Sequence, residues 1–215
     1  MRSTKILIDV PVYPNHKTPS RLVEESKLLE LFEKFVKEDP LVVDFGCGTS
    51  YYTGEKGVVG LDLDLNLLSR AEVEHKIRAD FRHSPLRENL VDGIVMCHSL
   101  EHSNLPEVTL REVHRILKKG GVIVSSVPNI SGFKSMYYLV FKQKLIVLGA
   151  DHLTAFTPKI FYKCFEDTGF TVKEMSGDIV YFPFMKKLGL MKLGYWLGTW
   201  IPGLANVIMV AGVKN

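Results

Sequence analysis

The sequence predicts an α/β fold: a doubly wound, mostly parallel sheet of seven strands with an antiparallel hairpin at one edge. Short apolar runs recur along the chain, and several are continuous and rich in β-branched residues, which is typical of parallel strands covered on both faces. Helical apolar periodicity separates several of these runs. Two late runs joined by a long insertion favour the hairpin at the edge.

The predicted strands occupy seven short segments. They are residues 41–45, 57–61, 76–79, 93–97, 122–127, 170–175 and 206–213. The predicted helices are residues 20–37, 66–75, 106–117 and 157–168. The chain of 215 residues fits a single domain, residues 1–215. Within it, residues 1–39 form an N-terminal segment and helix, and residues 133–153 and 177–205 are cap or insertion elements, with a helical cap predicted over 133–149.

Composition excludes several classes of protein. The net charge is +3 with no dense basic stripe, so a nucleic-acid partner is not expected. The three cysteines, Cys47, Cys97 and Cys164, are odd in number and lack CxxC spacing, which argues against disulfides and structural zinc. A reducing compartment, the cytoplasm, is the expected location.

The chemistry-bearing residues follow the first three predicted strands. Ligands of an open parallel sheet bind outside the carboxyl ends of its strands. Gly46 and Gly48 follow the first strand, where glycine lets the backbone turn and approach a ligand. Asp62 ends the second strand, where a carboxylate can accept hydrogen bonds from both hydroxyls of a ribose. Asp80 ends the third beside Phe81, which suits the polar edge and the face of an adenine. This order predicts an adenosyl ligand.

Longer motifs at these positions resemble the class I S-adenosylmethionine-dependent methyltransferases, in the branch called methyltransferase type 11. The matching segments are V-V-D-F-G-C-G-T at 42–49, V-V-G-L-D at 58–62, A-D-F at 79–81, V-D-G-I-V-M-C-H-S-L-E-H at 91–102, L-R-E-V-H-R-I-L-K-K-G-G at 110–121, D-H-L-T-A-F-T-P at 151–158 and F-E-D-T-G-F at 165–170. The resemblance covers roughly residues 20–213. A dehydrogenase would need a third glycine where Tyr51 stands, and no phosphate-binding Gly-Lys-Ser/Thr sequence is present.

The resemblance implies the Rossmann-like methyltransferase fold, S-adenosyl-L-methionine as cofactor and S-adenosyl-L-homocysteine as product. It also implies a set of contacts to the cofactor. These are Asp44, Gly46 and Gly48 at the methionine end, Asp62 on the ribose with Leu63 near the adenine, Asp80 and Phe81 around the adenine, and Cys97 on the methionine side.

The segment after the glycine loop departs from this family. Residues 49–57 are too few for the full helix that the family places there, so that helix is expected to be vestigial. Residues 13–17 or Tyr51 are the predicted replacements on the methionine side. The alternative function, a non-catalytic adenosyl-binding or scaffolding protein, rests on this departure.

Two histidines are the predicted catalytic residues. Methyl transfer from a sulfonium mainly needs an aligned acceptor, and a general base helps when the acceptor must lose a proton. His98, after the fourth strand, and His152, before the helix at 157–168, are the candidates. His98 and His102 have a metal-like spacing, but they flank a strand-to-loop transition and a third ligand is not apparent in the sequence, so no metal site is predicted.

The acceptor is predicted to be a small molecule, with the methylated atom (O, N or C) left open. The Asn/Asp-Pro-Pro-Tyr/Phe signature of methyltransferases that act on nucleobase or glutamine nitrogen is missing after the fourth strand. Aromatic and aliphatic residues in 133–149 and 181–200 leave an apolar acceptor open. Residues 179–204 are apolar but interrupted by lysines, which suits either peripheral contact with a membrane or a homodimer contact.

Overall fold

The computed structural model describes residues 19–36, 40–50, 58–143 and 151–215. The strands of these ranges are β1 Val42–Phe45, β2 Val58–Asp62, β3 His75–Arg78, β4 Val91–Cys97, β5 Leu117–Pro128, β6 Phe170–Gly177 and β7 Val207–Lys214. The α-helices are α1 Pro19–Phe35, α2 Leu65–Arg70, α3 Pro106–Ile116, α4 Phe133–Lys142, α5 Pro158–Asp167 and α6 Met191–Trp200. Short 3-10 turns cover Leu100–His102 and Pro202–Leu204.

All seven strands form one sheet in the order β3-β2-β1-β4-β5-β7-β6. The first five are parallel to their neighbours, whereas β7 runs antiparallel to both β5 and β6. The predicted fold class and edge hairpin are therefore confirmed. The strand order reverses between β1 and β4, and this switch point is where open sheets of this kind bind ligands.

Apolar side chains cover both faces of the sheet, as the continuous apolar runs predict. On one face, Phe45 and Ile94 pack with Phe161 of α5. On the other, Val95 packs with Phe32 of α1. A Cβ on Gly93 of β4 would lie 2.3 Å from the Phe32 ring, so α1 packs directly on the strand backbone. Both layers hold the strands in place, and with them the loops at their carboxyl ends.

Differences from the predicted elements lie at their ends. The predicted helix 66–75 stops at Arg70, because Ala71 and Val73 turn into the core and His75 already pairs in β3. In the cap predicted at 133–149, α4 occupies Phe133–Lys142, and residues 144–150 lie outside the described ranges. The insertion at 177–205 contains α6 and a 3-10 turn. No helix in the described part of the chain combines the length and apolar character that a membrane crossing requires.

Candidate functional site: a cofactor cavity and the polar cluster beside it

The glycine loop after β1 is tied to both neighbouring strands. The backbone N–H groups of Gly46 and Cys47 donate to the Leu61 carbonyl oxygen of β2, at 2.8 and 3.0 Å. The Ser99 hydroxyl, just past β4, donates to the Gly46 carbonyl oxygen at 3.1 Å. Gly46 has a φ of +77°, and a Cβ there would lie 2.5 Å from Ser99 Oγ, so this position requires glycine.

Asp62, at the carboxyl end of β2, faces this loop. One carboxylate oxygen accepts the Gly48 N–H at 2.7 Å, and the other accepts the Asp64 N–H at 2.8 Å. Each carboxylate oxygen has about two acceptor positions, so each retains one for a further donor. Beside it, a Cβ on Gly48 would meet no described atom within 4 Å. Asp62 and the open side of Gly48 therefore fit the ribose diol of an adenosyl group.

A cavity of about 270 Å³ opens beside Leu63, the residue after Asp62, beyond the ends of β2 and β3. Its lining residues are Leu63, Asp80, Phe81, Arg82, His102, Ser103, Asn104 and Leu153. Leu63, Asp80 and Phe81, the three residues predicted around an adenine, are thus brought together here. A flat apolar base with a polar edge matches this combination of Leu63, Phe81 and a carboxylate.

Arg82 holds Asp80 in a way that the sequence interpretation missed. Its Nη2 donates to Asp80 Oδ2 at 2.6 Å and its Nε to Asp80 Oδ1 at 3.0 Å. The hydrogen bond from the Arg82 side chain is the main cause that lowers the pKa of Asp80, and it outweighs the effect of burial. Asp80 therefore stays ionised and fixed at the rim, where it remains a hydrogen-bond acceptor. A basic residue two positions after a strand-end acid was the signal available in the sequence.

Asp44 and the two cysteines near the loop are buried beneath it. Asp44 is fully buried and accepts the Ser50 hydroxyl at 3.0 Å, which holds the loop from below. Cys47 packs under β2 against Gly60, and burial is the largest cause that raises the pKa of its thiol to about 12. The Cys97 side chain lies in the core layer that α1 covers. None of the three cysteines is joined in a disulfide.

His98 lies between two buried glutamates. Its Nε2 is 2.9 Å from Glu24 Oε1 of α1, and its Nδ1 is 3.2 Å from Glu101 Oε1. Burial lowers the pKa of His98, but the charge of Glu24 and the hydrogen bonds with both glutamates outweigh burial and raise it to about 10. The ring is therefore an imidazolium at neutral pH, and an imidazolium has no lone pair with which to take a proton.

His152 packs against His102, the residue that follows Glu101 in the chain. The two rings meet edge to face with centroids 5.0 Å apart. His102 Nδ1 is 3.0 Å from the backbone carbonyl oxygen of Asp151, and His102 lines the cavity. The two predicted catalytic histidines thus have different surroundings: glutamates enclose His98, whereas His152 adjoins a residue of the cavity wall.

Residues 51–57 and 13–17 lie outside the described ranges. The expected loss of the helix after the glycine loop, and its replacement by residues 13–17 or Tyr51, stay predictions.

Comparison with known proteins agrees with this geometry. The sequence model of a methyltransferase domain family matches residues 43–125. The chain is 34% identical over 170 residues to the uncharacterized protein MJ0638 of Methanocaldococcus jannaschii, covering 77% of this chain and 68% of that protein. It is 28% identical over 178 residues to the demethylmenaquinone methyltransferase of Bacillus pumilus, covering 73% of this chain and 70% of that enzyme.

Solved structures share the fold at low sequence identity. A SAM-dependent methyltransferase from Archaeoglobus fulgidus aligns with a TM-score of 0.64 at 16% identity, covering 90% of this chain and 94% of that one. Another from Thermotoga maritima, described as a possible histamine N-methyltransferase, aligns with a TM-score of 0.63 at 18% identity, covering 90% and 92%.

Strand order, glycine loop and strand-end acids define a Rossmann-like methyltransferase domain. The chain belongs to the class I S-adenosylmethionine-dependent methyltransferases and is an enzyme of that family. This membership favours the enzyme over the non-catalytic scaffolding alternative.

Proposed function

We propose that this enzyme transfers the methyl group of S-adenosylmethionine to a small-molecule acceptor, and that the cofactor lies across the carboxyl ends of β1, β2 and β3. The observation that carries the proposal is the convergence of Gly48, Asp62 and the cavity lined by Asp80 and Phe81. Three consecutive strands deliver these residues in the order of the methionine, ribose and adenine parts of the cofactor.

Each predicted contact residue has a defined part in this arrangement. Asp62 binds the ribose hydroxyls through its two remaining acceptor positions, and Leu63 and Phe81 enclose the adenine while Asp80 accepts from its amino edge. Gly46 and Gly48 shape the methionine end. Asp44 holds the loop through Ser50. Cys97, whose side chain is buried in the core, contributes at that end through its backbone.

Catalysis by this chain consists mainly of alignment. The cofactor supplies a methyl group on a cationic sulfur, which an acceptor displaces from behind. The glycine loop, fixed by Leu61 and Ser99, sets the direction of approach, and a well-aligned pair of reactants removes much of the entropic part of the barrier. His98 acts as a positioning residue, because both of its ring N–H groups donate to carboxylates, Nε2 to Glu24 and Nδ1 to Glu101. His152, beside the cavity wall, remains the proposed catalytic residue.

Two lines of support favour a small molecule as acceptor. The relatives include enzymes named for demethylmenaquinone, and one solved structure is described for histamine, both small molecules. The residues after β4 are Cys97, His98 and Ser99, without the prolines and aromatic residue of the nucleobase and glutamine methyltransferases. The atom that receives the methyl group is open to test with hydroxyl, amine and activated-carbon acceptors.

Calorimetry with S-adenosylmethionine tests the cofactor site. Asp62→Asn should weaken binding about 100-fold, because charge-assisted hydrogen bonds to two hydroxyls are lost at about 1.5 kcal/mol or more each. Asp64→Asn is the matched control, since it makes the same change two residues away and asparagine still caps α2. Equal affinities of the two variants would contradict the proposed cofactor position.

We also propose that residues 179–204 contact a membrane surface. Leu193, Trp196 and Trp200 recur along one side of α6 and are exposed, Trp200 at 70%. Lys186 and Lys187 are exposed on the preceding segment. Aromatic side chains beside lysines suit the interface of an anionic bilayer. Such contact would give the enzyme access to an apolar acceptor.

Co-sedimentation with vesicles tests this contact. Vesicles containing anionic phospholipid should retain the wild-type enzyme, and the double variant Trp196→Ala/Trp200→Ala should bind about tenfold less. Tyr162→Ala, an exposed aromatic on α5, is the control. If the wild-type enzyme does not co-sediment with vesicles and elutes as a dimer in size-exclusion chromatography, residues 179–204 form a homodimer contact instead.

A further inference from the structure

Three side chains that could bind a metal ion meet at the wall of the cavity. Glu101, His102 and His152 each offer one ligand atom, and these atoms lie within 4.8 Å of one another. Glu101 and His102 belong to the turn after β4, whereas His152 follows α4, some 50 residues later in the chain. His102 also lines the cavity, so a shared ligand of these three groups would lie at its wall.

Glu101 carries the observation that points to a ligand. The side chain is 1% exposed, and its Oε1 is bound by His98. Its Oε2 is buried without a hydrogen-bond partner among the described residues. A buried carboxylate oxygen without a partner loses its hydration and gains no hydrogen bond in return, so such groups are rare unless they have a function. A cation bound at Oε2 would remove this cost.

The orientation of His102 suits the same ligand. A backbone carbonyl oxygen can only accept, so the 3.0 Å contact with Asp151 makes His102 Nδ1 the donor. In the neutral ring, this leaves the lone pair on Nε2. Metal-binding histidines commonly show this arrangement, in which one ring nitrogen donates to a carbonyl or carboxylate and the other binds the ion. His98 on Glu101 Oε1 similarly holds the carboxylate ligand from behind.

We propose that Glu101, His102 and His152 bind one divalent transition-metal ion, with Zn²⁺ as the preferred probe. Two imidazoles and one carboxylate form a donor set that suits zinc with an open fourth position, at ligand distances of about 2.0–2.2 Å. His102 and His152 are only partly buried, so their rings can rotate to close the present separations. His98, which the sequence spacing paired with His102, lies behind the site as a partner of Glu101.

The next step rests on the proposed function. We infer that the methyl acceptor binds the ion at its open position and is therefore a small molecule with a hydroxyl or enol oxygen. Oxygen bound to the ion loses its proton to solvent more readily, because the ion stabilises the anion. The oxygen then forms the new C–O bond as the C–S bond breaks, and the bonding electron pair returns to sulfur to give the neutral thioether. His152 would then be a metal ligand and not a general base, and the ion would activate the acceptor oxygen in place of a base.

Metal binding can be measured without any acceptor. Tag-free enzyme is stripped with chelator, dialysed and titrated with Zn²⁺ in a calorimeter, and Co²⁺ substitution is followed by visible absorption. One ion should bind per chain, and His102→Asn and His152→Asn should each weaken binding at least about tenfold. His83→Asn, which changes an exposed histidine away from the cluster, should bind like wild type. Circular dichroism confirms that each variant is folded.

Two results would overturn the metal site: the absence of Zn²⁺ binding by wild type, or equal binding by His102→Asn, His152→Asn and His83→Asn. Glu101→Gln should also weaken Zn²⁺ binding, since its amide oxygen can keep the bond from His98 while the ligand oxygen Oε2 is replaced by an NH2 group. S-adenosylmethionine binding is measured on the same stripped samples. If the wild-type enzyme binds Zn²⁺ but not S-adenosylmethionine, the proposed function alone is contradicted. If it binds S-adenosylmethionine but not Zn²⁺, the metal site alone is contradicted.

Discussion

The glycine loop after β1 and the polar cluster after β4 lie at the same edge of the sheet, but they are built in different ways. The loop is held largely through its own backbone groups: the N–H groups of Gly46 and Cys47 donate to Leu61, and the Gly46 carbonyl oxygen accepts from Ser99. The cluster is held by side chains from distant segments, with Glu24 of α1, His98 and Glu101 after β4, and His152 after α4.

This contrast separates two kinds of position. In the loop, the backbone conformation dictates the residue, so a Cβ in the wrong place causes the damage. In the cluster, each side chain compensates another, so loss of one member leaves buried polar groups without their partner. Substitutions in the two regions should therefore change stability and cofactor binding in different proportions.

The largest effect is expected at His98. His98→Asn keeps a residue that tolerates the φ of +48° but removes the cation between Glu24 and Glu101. Stability should fall by about 4 kcal/mol, because two buried carboxyl groups lose their partner. Urea unfolding measures the change, and His75→Asn, on the exposed side of β3, should cost little. A loss below about 1 kcal/mol would show that the cluster does not stabilise the fold.

The next effect is expected in the loop. Gly46→Ala places a Cβ 2.5 Å from Ser99 Oγ at a φ of +77°, so strain and overpacking should cost about 3 kcal/mol. Gly120→Ala is the matched control, because its φ is +76° and no described atom lies within 4 Å of the new Cβ. If both variants lose the same stability in thermal unfolding, the contact with Ser99 contributes nothing.

Asp178, which is affected by the charge of Glu24 in the cluster, should make the stability of the fold depend on pH. Burial raises its pKa to about 7, with Glu24 adding to the rise while hydrogen bonds from Ile179 and Val207 and the charge of Lys27 oppose it. The folded chain keeps this proton to about pH 7, whereas the ordinary pKa is 3.8. The stabilising contribution is therefore complete below about pH 4 and is lost as pH rises to 7.

Asp178→Asn should remove this dependence, since the amide resembles the protonated carboxyl. The difference in unfolding free energy between pH 5 and pH 7.5 should shrink by about 2 kcal/mol relative to wild type. Asp167→Asn, at the exposed end of α5, should keep the wild-type profile. Parallel profiles for wild type and Asp178→Asn would show that Asp178 is already ionised in the fold.

The smallest change in stability, and the sharpest contrast with Gly46, is expected at Gly48. Gly48→Ala should cost about 1 kcal/mol for its φ of +53°, because the new Cβ meets no described atom. The Cβ would instead enter the proposed cofactor position, so affinity for S-adenosylmethionine should fall about tenfold. Calorimetry beside thermal unfolding separates the two effects, and unchanged affinity would place the cofactor elsewhere.

The same contrast explains what the sequence could predict. All seven strands, Gly46, Gly48 and the strand-end acids were readable, because strand ends and tight turns impose local patterns that short segments carry. The arrangement around His98 was not readable, since Glu24 lies 74 residues away and nothing local marks it as the partner. For the same reason the sequence showed no third metal-binding residue near His102. His152 lies 50 residues later in the chain, and only the fold brings it beside Glu101 and His102.

The end of α2 and the pairing of Asp80 with Arg82 are two smaller features that the sequence did not predict. The helical pattern continued past Arg70, and pairing of His75 with β2 ended the helix earlier. Arg82 stands two residues from Asp80, but its bidentate geometry depends on the turn after β3. Tertiary contacts decide both features.

A crystal structure of the enzyme with S-adenosylhomocysteine bound tests the proposed position of the cofactor. The ribose hydroxyls should lie within hydrogen-bond distance of the Asp62 carboxylate, with the adenine between Leu63 and Phe81 and the amino-acid end over Gly46 and Gly48. An adenosine group bound away from Asp62, or an adenine that lies outside the cavity lined by Asp80 and Phe81, would contradict the proposed site.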